Sequence, residues 1–286
     1  LLDLTGRTVV VTGASSGIGL AAAEQLARLG AELVLVGRDP ARLDAAAARV
    51  RAARGQALQR LVTPLRCDFQ RLAEVRALAG ELLARCPRIF ALVNGAGGAS
   101  LRRRVSADGH ERTLAVNHLA PYLLTRLLLD RLRASAPSRI VNVASVGHHR
   151  GDLDFADLQL ERGYEMMRAY GRSKLCNILF TRELGRRLAG TGVTANCLHP
   201  GLVATRIWDR APWILRPAFA VAKWFMISPE RAAESVVRLV ADPALEGVSG
   251  RYFDQQALAE PSALGRDDGL ARRLWEESAR LVGVEG

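Results

Sequence analysis

Tyr170 and Lys174 stand four residues apart in the run Tyr170-Gly171-Arg172-Ser173-Lys174. On a helix that spacing puts both side chains on one face, because about 3.6 residues make a turn. A phenol titrates at about pH 10 in water, so it trades protons at neutral pH only where a nearby cation favours its ionised form. Lys174 is placed to be that cation. Of the 40 basic residues only Lys174 and Lys223 are lysine. Arginine serves wherever a plain positive charge suffices, and a retained lysine therefore points to chemistry. Ordinary helix surfaces also produce Tyr-x-x-x-Lys by chance, so the elements that position the pair have to decide.

Those elements begin with a β-branched run, 7–12, which stops at Gly13 and is followed by an amphipathic helix pattern over 18–29. The turn between them reads Gly13-Ala14-Ser15-Ser16-Gly17-Ile18-Gly19. Gly13 permits a tight turn, Gly17 admits a pyrophosphate to the backbone, and Gly19 lets helix and strand pack closely. Ser15, Ser16 and Ile18 complete a cradle at the positive helix N-terminus. The second strand, 32–36, ends at Gly37-Arg38, where a site reading a free ribose 2′-hydroxyl usually carries an acidic residue. Glycine followed by arginine suits a 2′-phosphate, so NADP(H) is expected ahead of NAD(H). Asp39-Pro40 supplies the cap and first turn of the next helix, 41–53.

The alternation continues with strands at 61–67, 89–93, 139–144, 193–198 and 251–253, and helices at 72–85, 111–132, 165–188, 230–240 and 268–281. Asp68, Asn94-Gly95-Ala96-Gly97, Ser145 and His199-Pro200-Gly201 each follow a strand. This pattern predicts an α/β fold of the Rossmann kind: one domain over 1–286, with a doubly wound parallel sheet of about seven strands flanked by helices. The ligand site is expected along the C-terminal edge of the sheet. Asp68 also reads as an N-cap.

Composition bounds the function. Of 286 residues, 49% are hydrophobic and 24% charged, as in an ordered globular chain. The net charge of +11 is spread among acidic residues, so solvated faces rather than nucleic-acid binding are expected; Arg102-Arg103-Arg104 is the one local cluster. Cys67, Cys86, Cys176 and Cys197 show no metal-type pairing and suit a reducing compartment. No run reaches the roughly 20 apolar residues of a membrane span. The chain starts at Leu1 rather than methionine, which leaves room for an upstream signal or anchor. A cytoplasmic protein is expected, or one on the cytosolic face of a membrane if such an anchor has been removed.

In this order, the glycine turn, Asn94-Gly95-Ala96-Gly97, Asn117, Ser145, Tyr170/Lys174 and Pro200-Gly201 resemble the short-chain dehydrogenase/reductase superfamily. Longer phrases such as Val116-Asn117-His118-Leu119 and 173–181, with the wide gap from Ser145 to Tyr170, resemble its retinol dehydrogenase-like branch. Gly95 stands where the family has a second asparagine, and Ala144-Ser145 replaces a serine pair. The resemblance implies that Tyr170 is the acid/base, that Ser145 orients the carbonyl oxygen, and that Lys174 lowers the phenol's pKa and holds the nicotinamide ribose. Asn117 would keep a water in the proton relay. It further implies cofactor contacts from Asp68, Asn94, Ala96, Gly97, Pro200, Gly201, Val203 and Thr205. On isolated sequence Asn117 is a mid-helix asparagine and Ser145 a strand-end serine; the accompanying motifs favour the functional reading.

His148 and His149 read as a loop pair rather than metal ligands, and no metal is expected. Trp208, Trp213, Phe219, Trp224 and Phe225 crowd the segment 202–229. They are expected to roof a pocket for an apolar aldehyde, ketone or alcohol, retinoid-like, steroid-like or xenobiotic. The rival reading rests that patch on a membrane surface or a homodimer interface. A non-catalytic NADP(H) sensor acting through the same segment would need the glycine turn but not Asn117, Ser145, Tyr170 and Lys174.

Overall fold

Valine- and leucine-rich runs with apolar residues on both faces make strands that are covered on both sides. They build β1 (Thr8–Thr12), β2 (Glu32–Gly37), β3 (Val62–Arg66), β4 (Ala91–Asn94), β5 (Ser138–Val143), β6 (Val193–His199), β7 (Tyr252–Asp254) and β8 (Ala257–Ala259). The computed structural model describes residues 1–54, 61–203 and 227–285. Thr205 and the five aromatic residues of the expected lid lie outside the described residues.

The strands form one sheet in the order β3-β2-β1-β4-β5-β6-β7-β8. Every pairing through β7 is parallel, and β8 adds an antiparallel edge. The fold is the α/β Rossmann arrangement expected, with one more strand than the sequence indicates. Strand order reverses between β1 and β4, and that crevice is where open α/β sheets bind ligands.

One face is covered by α1 (Gly17–Arg28), α2 (Pro40–Arg54) and α6 (Pro229–Ala241); the other by α3 (Leu72–Arg85), α4, α5 (Met166–Arg187) and α7 (Asp268–Val282). α4 opens as Arg112–Leu114, passes through a π-helical stretch Ala115–Leu119 and continues as Ala120–Ala134. The sequence pattern alone implies one unbroken helix there.

α7 is bolted across α4 and α5. The Tyr122 hydroxyl donates to Trp275 O at 3.1 Å, and His118 Nε2 lies 2.8 Å from Ser278 Oγ. Arg126 and Arg187 place their guanidinium groups 4.8 and 4.4 Å from the Trp275 ring centroid, cation–π contacts that hold the indole in place. All four cysteines are buried and free.

Candidate active site

At the end of β1 the chain turns with bare backbone. Gly13 and Gly17 sit at φ +72° and +57°, where residues with a Cβ are strained. A Cβ on Gly13 would lie 2.8 Å from Ala96 N and Cα, and one on Gly19 would lie 2.5 Å from Gly13 O. Close approach, not only the turn, therefore demands glycine at these positions. Ser16 is the N-cap of α1 but its side chain makes no capping bond, and no acidic residue occupies the first turn. The orphan N–H groups and the positive helix end are left for an anion. Ser15 borders the same cradle: its Oγ is 3.4 Å from where a Gly37 Cβ would stand. Arg38 is exposed just beyond. Asp39 Oδ1 accepts from Arg42 N at 3.1 Å, so that carboxylate caps α2 as expected. The glycine cradle and the uncapped helix end fit a dinucleotide.

Thr12, to which the sequence alone assigns no role, fastens this cradle to its neighbour. Its Oγ1 donates to Val93 O at 3.2 Å and accepts from Gly95 N and Ala96 N at 3.1 and 3.2 Å. A Cβ on Gly95 would lie 2.8 Å from Thr12 O, so the glycine that departs from the family pattern permits this close approach.

Two residues expected at the cofactor also make bonds within the fold. The Asn94 amide donates to Asn142 Oδ1 at 2.8 Å and Thr125 Oγ1 at 3.1 Å, serving a buried ladder beneath the turn. Asp68 is not an N-cap: Arg71 holds that position in α3, and Asp108 Oδ2 accepts from Leu72 N at 2.8 Å. Asp68 Oδ1 instead accepts from Gln70 N at 3.2 Å. At the far side, Gly201 adopts φ +94°. Val203 pairs with Ile227 in an isolated parallel bridge, which pins the two ends flanking 204–226 together near Pro200.

Asn117 lies in the middle of the π-helical stretch of α4, a distortion that concentrates at functional sites. Its Oδ1 accepts from Gly98 N at 2.8 Å, while Nδ2 donates to Gly98 O and Ser173 Oγ, each at 2.9 Å. Asn117 thereby joins the Gly97-Gly98 turn to α5. Ser173 carries no signal of this role in the sequence beyond standing within the Tyr–Lys run. A Cβ on Gly97 would come 3.2 Å from Asn117 Oδ1 and 3.6 Å from Lys174 Nζ, so Asn117 and Lys174 converge on that glycine.

Lys174 is buried and donates from Nζ to Val143 O at 2.8 Å. Burial disfavours the cation and brings its pKa down to about 8. Tyr170 lies on the same face of α5, with Lys174 Nζ 5.7 Å from its ring centroid. Here the expectation from Lys174 is corrected: burial raises the phenol's pKa, and the hydrogen bond from Ser145 offsets part of the rise. Ser145 follows β5 and opens the 3-10 turn Val146–Arg150, its Oγ accepting from Gly147 N at 3.1 Å. Gly147 packs flat on the tyrosine, where a Cβ would meet Tyr170 Cε1 at 3.2 Å.

The short chain dehydrogenase family profile matches residues 7–212. Human Retinol dehydrogenase 14 is 42% identical over 98% of this chain and 87% of its own length. Human Retinol dehydrogenase 13 is 41% identical over 99% and 86%. Among solved structures, an uncharacterized protein from Mycobacterium paratuberculosis is 31% identical, with a TM-score of 0.80 over 100% of this chain and 96% of that one. A Pseudomonas aeruginosa RhlG/NADP active-site complex is 25% identical, with a TM-score of 0.70 over 94% and 98%. With the crevice and its cradle in place, these likenesses make the chain a member of the short-chain dehydrogenase/reductase family, retinol dehydrogenase-like, an oxidoreductase acting on CH–OH and C=O groups.

Proposed function

We propose that the protein interconverts a bulky apolar aldehyde or ketone and its alcohol with NADP(H), using Tyr170 as acid/base. The observation that carries this reading is the meeting of Tyr170, Ser145, Lys174 and Asn117 beside the glycine cradle. Gly13, Ser15, Ser16, Gly17, Ile18 and Gly19 would hold the pyrophosphate, and Arg38 would pair with the 2′-phosphate. The similar Pseudomonas aeruginosa protein is itself an NADP complex, which supports the same choice of cofactor. The bound cofactor supplies or accepts the hydride.

The chain's own residues orient and protonate. The carbonyl oxygen lies between the Ser145 and Tyr170 hydroxyls. Ser145 Oγ accepts from Gly147 N, and its proton turns from Tyr170 to that oxygen, where it stabilises developing charge. Tyr170 gives its proton to the same oxygen during reduction and takes it back during oxidation. Its raised pKa keeps it protonated at neutral pH, the form reduction needs. Lys174 brings positive charge to the ribose side, and Asn117 links the group toward solvent through a water.

Substrate size follows from the apolar segment 202–229, within which Val203 and Ile227 pair shortly after β6, and from relatives named for retinol, itself an apolar alcohol. Kinetics across short, medium and long-chain aldehydes with NADPH and NADH test the whole reading. Catalytic efficiency is expected to rise with chain length, and Trp213→Ser to flatten that rise. NADPH is expected to be preferred and Arg38→Asp to reverse the preference. A flat size trend would reject the apolar pocket. Equal use of both cofactors would reject the role of Arg38.

A further inference from the structure

His148 lies in the turn Val146–Arg150 and is fully buried. Its Nδ1 is 2.7 Å from Ser145 O, and its Nε2 is 3.1 Å from Ser262 N. A carbonyl only accepts and a backbone N–H only donates, so the two partners leave one arrangement: hydrogen on Nδ1, lone pair on Nε2, ring neutral. Burial agrees, pushing this histidine down to about 4. The ring is wedged between His149, at 4.0 Å between centroids, and Tyr252 of β7, at 5.2 Å.

Ser145 O thus receives two donors, His148 Nδ1 and His148 N, the latter at 3.1 Å. The intervening Gly147 donates to Ser145 Oγ on one side and lies against the Tyr170 ring on the other. Wherever His148 holds this turn, it sets both the direction of the serine hydroxyl and its separation from the phenol. The ring's outer anchor, Ser262, follows β8 at the edge of the sheet, well away from the glycine cradle at β1.

We propose that His148 is a positioning residue for the reaction, a single-tautomer strut from Ser262 that fixes the Ser145 hydroxyl against Tyr170. The proposal rests on the role given to Ser145 above. Its two hydrogen bonds can be separated, because an asparagine amide overlays Nδ1 and a glutamine amide oxygen overlays Nε2.

His148→Asn keeps the bond to Ser145 O, and His148→Gln keeps the bond to Ser262 N. Measured on the full chain with a medium-chain aldehyde, His148→Gln is expected to lower kcat at least about tenfold, the scale of a small misplacement at a reacting centre. KM and the NADPH Kd should stay within about threefold. His148→Asn should retain most of kcat even if its Tm falls as far. In a Ser145→Ala background, His148→Gln should cost nothing further, the signature of two residues acting through one another.

Equal losses in the two variants, tracking Tm, would overturn the proposal, as would a glutamine penalty that persists without the serine hydroxyl. If Ser145→Ala keeps full turnover, the assignment of Ser145 falls and the strut with it. If Ser145→Ala is impaired while His148→Gln is not, only the strut falls. Should neither variant fold, long-range proton–nitrogen NMR of the unaltered protein still decides. A neutral ring with hydrogen on Nδ1 is expected, and hydrogen on Nε2 would overturn the strut.

Discussion

Around β1, β2 and β3 the buried residues are almost wholly apolar, with Thr12 and Glu24 as exceptions. Around β4, β5 and β6 the same sheet buries Asn94, Asn142, Asn196 and His199, and the covering helices add Asn117, His118, Ser173, Lys174, Asn177 and Thr181. The first region shapes its site by omission: glycines where any Cβ would strike backbone, and a helix end its own N-cap leaves open. The second shapes its site by placement. Asn94, Asn142 and Thr181 form a ladder from sheet to helix, with bonds of 2.8 and 2.9 Å, and Asn117 and Ser173 repeat the device nearer Tyr170 and Lys174. Binding a dinucleotide needs room and amide hydrogens; moving a proton needs particular atoms at particular points. The two regions should therefore fail differently when altered.

The largest separation is expected from Tyr170→Phe, which removes one hydroxyl and adds nothing. Turnover should fall about 10²–10⁴-fold, the usual worth of a general acid/base, while NADPH affinity by fluorescence stays within about threefold. Loss of both would mean that the two regions are not separable. Next comes Gly19→Ala, whose Cβ meets Gly13 O at 2.5 Å; NADPH Kd should rise at least about tenfold, corresponding to roughly 1.4 kcal/mol. Gly80→Ala in α3 is the control. A Cβ there meets nothing within 4 Å, so stability in urea should rise by about 0.5–1 kcal/mol.

A smaller effect should appear in pH profiles. Since burial raises the phenol's pKa, alcohol oxidation, which needs the ionised form, should climb with pH above neutrality, and carbonyl reduction should not. Parallel profiles would remove Tyr170 from one direction of the proton transfer.

The last expected effect concerns folding rather than turnover. His118 and His148 are each lowered by burial from 6.5 to about 4, so between those values the unfolded chain binds more protons than the folded one. The stability their neutral rings contribute is complete above about pH 6.5 and is lost as pH falls toward about 4. Urea titrations across that window should show the loss, and His118→Gln should shallow its slope. An unchanged slope would remove His118 as a source.

The β–α alternation is legible because each strand is a run of β-branched or leucine residues closed by a polar or glycine position, and the cradle is legible because its glycines follow a strand. The rest depends on partners far away in the chain. β8 is three largely exposed residues, reached through a turn with Gln255 at φ +53° and none of the glycine or asparagine that would mark it. The π-helical stretch in α4 has no composition of its own; Asn117 there finds Gly98 and Ser173, 19 and 56 residues distant. His148 reads as a loop residue because its anchor, Ser262, lies 114 residues further on. The cap of α3 comes from Asp108 rather than the nearby Asp68. Lys174 shares a face with Tyr170 as the spacing says, but spacing cannot show how much burial opposes the cation.

The bolting of α7 across α4 and α5 bears on how the protein is made. Tyr122, Phe180 and Trp275 pack ring against ring at 5.2–5.9 Å, so two of the three rings wait for a residue translated long after them. A nascent chain can assemble β1 to β3 with α1 and α2 early, since domains form from the N-terminal side as they emerge. The layer under Tyr170 and Lys174 stays open until α7 is translated, with Tyr122 and Phe180 exposed to chaperones or to neighbouring chains. A premature stop before Asp268 would therefore yield a client for degradation rather than a weakened enzyme.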